Sequence, residues 1–182
     1  PPTPVFHPGL DAERFTRVNL RPENAVIYSA NFLSVQNNLQ AGTRARITMY
    51  TAEEVHLTLD DGEFVMKPLG KEKFPTNDAG IVAFLEKYFI DRQEDLTLDG
   101  MGPADLKDEV MGGSQVIGMT KEQVYTCLGP PLKTDAGAPA LTLDRKAILA
   151  SDHWIYPSQW AGILPAERHF YFGGGTLRRV EP

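Results

Sequence analysis

The sequence predicts an α+β protein. A small N-terminal β-meander or barrel with one helix spans roughly residues 20–100. A helix–helix–strand–strand–strand unit follows over 103–182. Three observations carry this. Two segments near residue 50 alternate apolar and polar side chains, as half-buried strands do. One segment after residue 77 repeats its apolar residues at helical spacing. A third, from Thr120 to Pro131, carries its own start and stop signals and leads into aromatic, strand-like runs.

The elements follow in order. Pro1-Pro2-Thr3-Pro4 and Pro8-Gly9 predict an extended tether over residues 1–19. Val26 to Leu33 has the β-branched and aromatic weight of a strand. Ala45-Arg46-Ile47-Thr48-Met49-Tyr50 alternates, with Ile47 and Met49 opposed to Arg46 and Thr48. Val55-His56-Leu57-Thr58-Leu59 alternates more cleanly. Asp60-Asp61-Gly62 is a tight-turn signal before Glu63-Phe64-Val65-Met66-Lys67, so these runs read as an antiparallel meander with one solvated face. Thr76-Asn77-Asp78 supplies capping oxygens for a helix over 78–91. Its stripe of Ile81, Phe84, Leu85, Tyr88 and Phe89 should face a sheet. Leu96-Thr97-Leu98 could form a short strand. Met101-Gly102-Pro103 marks a boundary, and Pro103 can open a helix that Gly112-Gly113 ends.

Thr120 has the chemistry of an N-cap. Its hydroxyl can accept from the Gln123 amide while the Gln123 side chain reaches back, a capping box, with Met119 stapled on Val124. Gly129 suits a positive-φ stop, and Pro130-Pro131 cannot continue a helix. Beyond it the chain reads as antiparallel β. Ala147 to Ala150 leads into Asp152-His153-Trp154-Ile155-Tyr156. A loop over 157–165 crosses to His169-Phe170-Tyr171-Phe172, Gly173-Gly174-Gly175 turns, and Thr176 to Val180 returns.

The second half resembles a known family. Gly118, Met119, Thr120, Val124, Leu128, Gly129 and Pro131, then Trp154 and Tyr156, then Tyr171, Phe172, Gly175, Leu177 and Val180 match the pattern of the BamE (SmpA/OmlA) family. The resemblance covers roughly residues 103–181. It implies two helices on a three-stranded antiparallel sheet, and a lipid-anchored periplasmic protein of the Gram-negative outer membrane that supports assembly of barrel proteins. The fold also resembles β-lactamase-inhibitor modules, which act by binding. This chain departs from the family in its extra N-terminal half and in a long stretch from Leu132 to Ser151.

Composition narrows the function classes. The chain has 182 residues and a net charge of −6, which gives no basic footprint for nucleic acid. The single cysteine, Cys127, permits no internal disulfide and reads as a buried thiol. No apolar run approaches the length of a membrane span. The chain opens on Pro1 rather than Met and reads as a processed or trimmed product, so a lipid anchor would lie upstream.

Catalytic and metal readings are weaker. His7, His56, His153 and His169 show no ligand spacing, though His153 and His169 could sit on neighbouring strands. Ser151-Asp152-His153 is contiguous, whereas triad members meet in space. Gly173-Gly174-Gly175 opens no helix and lacks the lysine of a phosphate loop. The expectation is therefore a non-catalytic envelope scaffold or assembly protein without metal or cofactor, its partners being envelope or outer-membrane proteins. An inhibitor-like or peptidoglycan-binding module is the alternative. The candidate partner-binding residues are Trp160, in the 158–164 loop, Tyr156, and the pair Arg178 and Arg179. Those arginines read either as edge-strand protection or as contacts for an anionic lipid head group or an acidic partner.

Overall fold

The computed structural model describes residues 3–30, 37–96, 106–135, 137–157 and 167–182. It is a mixed α+β structure built on two sheets. The first sheet uses β1 (Arg14–Thr16), β2 (Val26–Tyr28), β3 (Arg44–Tyr50), β4 (Val55–Leu59), β5 (Gly62–Lys67) and β6 (Phe89–Ile90), in the order β2-β5-β4-β3-β1-β6. Helix α1 (Asp78–Tyr88) runs directly into β6. The second half holds α2 (Lys107–Gly112), α3 (Lys121–Leu128), β7 (Lys133–Thr134), α4 (Arg145–Ala150), β8 (His153–Pro157), β9 (Glu167–Gly173) and β10 (Thr176–Glu181). Its sheet has the order β10-β9-β8-β7.

The alternating segments form the centre of the first sheet. β3, β4 and β5 are an antiparallel meander, with Leu59 opposite Gly62 across the Asp60-Asp61 turn. Ala45, Ile47, Val55, Leu57 and Leu59 are buried while Arg44, Arg46, Thr48 and Thr58 are exposed. The aromatic stripe of α1 lies against this face. Phe84 meets Tyr50 edge-on at 5.2 Å and Phe74 at 5.3 Å.

Several expectations are corrected. Much of the stretch expected as a tether over residues 1–19 is part of the fold. Val5 donates to the Tyr50 carbonyl, Leu10 is buried, and β1 pairs with both β3 and β6. Burial of Leu10 and Val18 outweighs the local proline signal. β2 pairs with β5 in parallel, not as a meander strand. The helix expected over 78–91 stops at Tyr88, because pairing of Phe89 and Ile90 with β1 captures the backbone. Residues 145–150, expected to lead into a strand, are helix α4. The Asp144 carboxylate caps it by accepting from Ala147 N at 2.7 Å. The second sheet has four strands instead of three, because Lys133 and Thr134 pair with Ile155 and Trp154. The expected strand at 96–98 and boundary at 101–103 lie outside the described residues, except Leu96.

The capping box on α3 is present. Gln123 N donates to Thr120 Oγ1 at 3.1 Å, and Thr120 N donates to Gln123 Oε1 at 2.9 Å. Gly129 ends the helix at φ 77° and ψ −173°. Its positive φ is as expected, but the extended ψ is one that essentially only glycine adopts.

The two halves share one hydrophobic core, running from Leu10 and Val18 through Phe84 and Tyr88 to Tyr125, Trp154 and Leu177. Polar contacts stitch the halves together inside it. Asn19 donates to Val110 O at 2.7 Å and Cys127 O at 3.2 Å, and accepts from Ala41 N at 2.9 Å. Lys87 donates to Ala140 O at 3.0 Å and Leu141 O at 2.7 Å, while Tyr125 Oη donates to Lys87 O at 3.2 Å. Among the described residues, no helix is long and apolar enough to cross a membrane.

Candidate partner-binding face

Strand alternation divides the second sheet into two faces. Trp154, Tyr156, Phe170, Phe172 and Leu177 point into the core. His153, Ile155, His169 and Tyr171 therefore lie on the other face. The β9–β10 hairpin turns at Gly174 and Gly175, both at positive φ, between the paired Gly173 and Thr176. A bulge then shifts the register of β10, so that Arg178 is the extra residue. The shift sets Arg179 opposite Tyr171 and Glu181 opposite His169. Without it, residue 178 would stand opposite Tyr171, and Arg179 would change faces.

Two cross-strand rows result. One runs Arg179, Tyr171, His153. The other runs Glu181, His169, Ile155, Lys133. In the first row the Arg179 guanidinium lies 4.3 Å from the Tyr171 ring centre. Tyr171 stacks on His153 at 4.5 Å with only 6° between the planes. The rows are joined by a hydrogen bond between His153 Nε2 and His169 Nδ1 at 2.9 Å. Ion pairs flank them: Lys133 with Glu167 at 2.8 Å and Arg179 with Glu181 at 3.2 Å.

Burial, then the neighbouring His169, holds the His153 imidazole below the usual histidine range; Asp135 pulls the other way. An imidazole–imidazole hydrogen bond needs one N–H donor and one bare nitrogen. Two charged rings could not make it. The face therefore carries stacked aromatic and cationic groups that are half-buried at His153, His169 and Tyr171, exposed at Arg179 and buried at Ile155.

Each residue expected to bind a partner can now be placed. Arg179 is on this face. Arg178 is exposed beside it, donating from Nε to Gly173 O at 3.0 Å. Tyr156 is corrected: it is fully buried, and its hydroxyl donates to Gly129 O at 2.7 Å. Its aromatic bulk serves the core, since alternation puts it on the same side as Trp154. Trp160 lies outside the described residues. β10 is an edge strand, and the start of its edge is covered. Gly118 N donates to Leu177 O at 2.9 Å and Leu177 N to Met119 O at 2.7 Å. The Gly-Met-Thr segment thus seals part of the edge as well as opening α3. Sequence reasoning missed the role of Tyr171 as the plate between Arg179 and His153. The alternation His169-Phe170-Tyr171-Phe172 held that signal, but the bulge that sets Arg179 against it did not show.

The residues that could mimic a catalytic group are occupied otherwise. Ser151 Oγ lies 2.7 Å from Asp135 Oδ1, Asp152 pairs with Lys121 at 2.7 Å, and His153 pairs with His169. The three side chains thus take different side-chain partners, although Ser151 Oγ also donates to His153 O at 2.9 Å and accepts from His153 N at 3.3 Å. Cys127 is buried, and burial pushes its thiol up to about 12. Among the described residues, no three His, Cys, Asp or Glu side chains converge as a metal site.

Taken together, fold and face define a two-sheet α+β protein with a polar-aromatic face on its second sheet. No family model, no curated protein and no solved structure matches this chain.

Proposed function

We propose that the protein is a non-catalytic scaffold or assembly factor of the Gram-negative envelope. It is periplasmic, held at the outer membrane by a lipid anchor upstream of Pro1, and binds envelope or outer-membrane proteins. The observation that carries the binding role is the Arg179–Tyr171–His153 stack, with Arg178 beside it. Tyrosine and arginine are the side chains most often found as interface anchors. The compartment rests on the BamE-like residue pattern. The order α2, α3, then antiparallel β8, β9 and β10 is compatible with that reading, while β7 and α4 are additions to it.

The test expresses the full-length precursor in a Gram-negative host, with a photo-crosslinking residue in place of His169. Sedimentation with outer membranes, and adducts to envelope proteins lost in a Tyr171→Ser, Arg179→Glu double variant, are expected. Adducts to one soluble enzyme, or retention on purified peptidoglycan, would favour the inhibitor-like or wall-binding alternative. Cytosolic fractionation of the precursor would overturn the compartment, and adducts unchanged in the double variant would overturn the face.

A further inference from the structure

On the β8–β9 face two histidines share one hydrogen bond. His153 and His169 lie diagonally across the strand pair, since His153 stands opposite Tyr171 and His169 opposite Ile155. Their ring centres are 5.1 Å apart and the planes are inclined by 22°. His153 Nε2 and His169 Nδ1 are 2.9 Å apart, so one of them donates and the other is bare. Glu167 Oε2, 3.9 Å from His169 Nε2, favours a proton on that nitrogen. In the neutral pair His169 Nδ1 is then the bare acceptor and His153 Nε2–H the donor. His153 Nδ1 is bare as well.

Such a pair counts protons. A first added proton can enter at His153 Nδ1, and the hydrogen bond survives because its donor and acceptor are unchanged. The charged ring then lies flat on Tyr171, at 4.5 Å and 6°, where the π-face favours a cation. A second proton has only His169 Nδ1 left, the acceptor itself. Its uptake breaks the bond and sets two cations side by side. The surrounding charges do not offset this. Glu167 is paired with Lys133 of β7 at 2.8 Å, Glu181 of β10 with Arg179 at 3.2 Å, and Asp152 with Lys121 at 2.7 Å. Burial first, and then His169, oppose charge on His153; Asp135, just past β7 and 2.7 Å from Ser151 Oγ, favours it. Arg178 donates to Gly173 O, and Arg168, opposite Tyr156, has the other parity along β9.

We propose that His153 and His169 form an acid-sensitive latch: one added proton leaves it closed, and a second opens it, releasing His153 from His169 and loosening the Tyr171 stack on which Arg179 rests. The sign follows from linkage. Rings that stand apart take the second proton more readily than rings held together, so acid favours the open form and a return to neutral pH closes it. The change is confined to this face, because Trp154, Phe170 and Phe172 on the other side of the sheet stay in the core. Arg179 and Tyr171 carry the proposed binding, so the latch would weaken that binding in acid. This consequence alone rests on the proposed function.

Histidine-ring NMR of the whole isolated protein, from about pH 8 to pH 4, tests the latch without any partner. In the wild type the pair should titrate in two steps more than about one pH unit apart, and the Tyr171 ring signals should move in the lower one. His169→Gln keeps a side-chain carbonyl that can accept from His153 at any pH. It should abolish the lower step, raise the His153 titration and leave the Tyr171 signals without a second movement. The reciprocal His153→Gln should likewise leave one step in place of two. Independent titration of the two rings, Tyr171 signals that follow only the upper step, or a lower step that persists in His169→Gln would each overturn the latch. So would unfolding of wild type and variant at the same pH ahead of any second step. Partner binding by the face is read separately, by crosslinking, and can fail while the latch stands.

Discussion

Gly80 shows how a single residue is set by its surroundings and not by local propensity. It sits in the first turn of α1, where alanine would ordinarily be better by about 1 kcal/mol. A Cβ there would lie 2.3 Å from Pro75 Cβ and 2.9 Å from Asn77 Oδ1, the atom that caps the helix. We expect Gly80→Ala to destabilise the protein by roughly 1–3 kcal/mol, the usual range for overpacking. Urea unfolding checks this, and a stabilised variant would refute the close approach. Asn77 was legible as a cap from its side chain. The crowding at Gly80 was not, because it depends on how the chain from Pro75 enters the helix. Tyr156 gives the same lesson in reverse. Its residue type suits an interface, but its parity with Trp154 along β8 decides that it is buried.

At the level of the element, α3 is the case in which local chemistry sufficed. Thr120, Gln123 and Gly129 are three and six residues apart, so a helix of that length brings the first two into contact whatever surrounds it. Thr120→Ala should cost roughly 1 kcal/mol. Because its two hydrogen bonds are reciprocal, the Thr120→Ala, Gln123→Ala double variant should cost less than the sum of the two single variants. A double-mutant cycle by chemical denaturation measures this, and strict additivity would mean the bonds act independently. Residues 145–150 are the opposite case. Their short apolar run fits strand or helix equally, and periodicity cannot separate the two over so few residues. The Asp144 cap decides it. Likewise α1 ends early because β1, some seventy residues upstream, offers Phe89 and Ile90 a strand partner.

On the scale of the whole molecule, Lys87 joins the two halves. It is buried on α1 with its ammonium on the carbonyls of Ala140 and Leu141. Burial pulls its pKa down to about 8, with Asp144 and Glu72 opposing. Unfolded lysine keeps its proton to about 10.4. Between these values the unfolded chain binds more protons, so stability rises with pH across that window and the cost of the buried charge is full below it. Buried Cys127 and the buried tyrosines act in the opposite direction at higher pH. Comparison with Lys87→Met cancels them. From pH 7.5 to 9 the wild type should gain roughly 1 kcal/mol relative to the variant. Parallel stability curves would show that Lys87 is not perturbed. The shared core also implies that both sheets unfold in one transition. A single exchange-protection limit across Leu57 and Phe170 would agree with this, and two separate limits would not.

By itself the sequence determined the features whose causes lie within a few residues. These are the α3 capping box, the alternation of β3 as far as Ile47 and of β4, the α1 stripe and the glycine hairpin; a bulge between Ile47 and Met49 gives the next buried place in β3 to Tyr50 instead of Met49. Each follows from a period or a hydrogen bond closed along the chain. Only the tertiary structure decided the rest. It drew the N-terminal segment into a sheet, turned β2 parallel, ended α1 at Tyr88, and set Arg179 on Tyr171 through a one-residue bulge. It also brought His153 and His169 into one hydrogen bond. These depend on contacts between residues distant in sequence, where burial and strand pairing outweigh local preference.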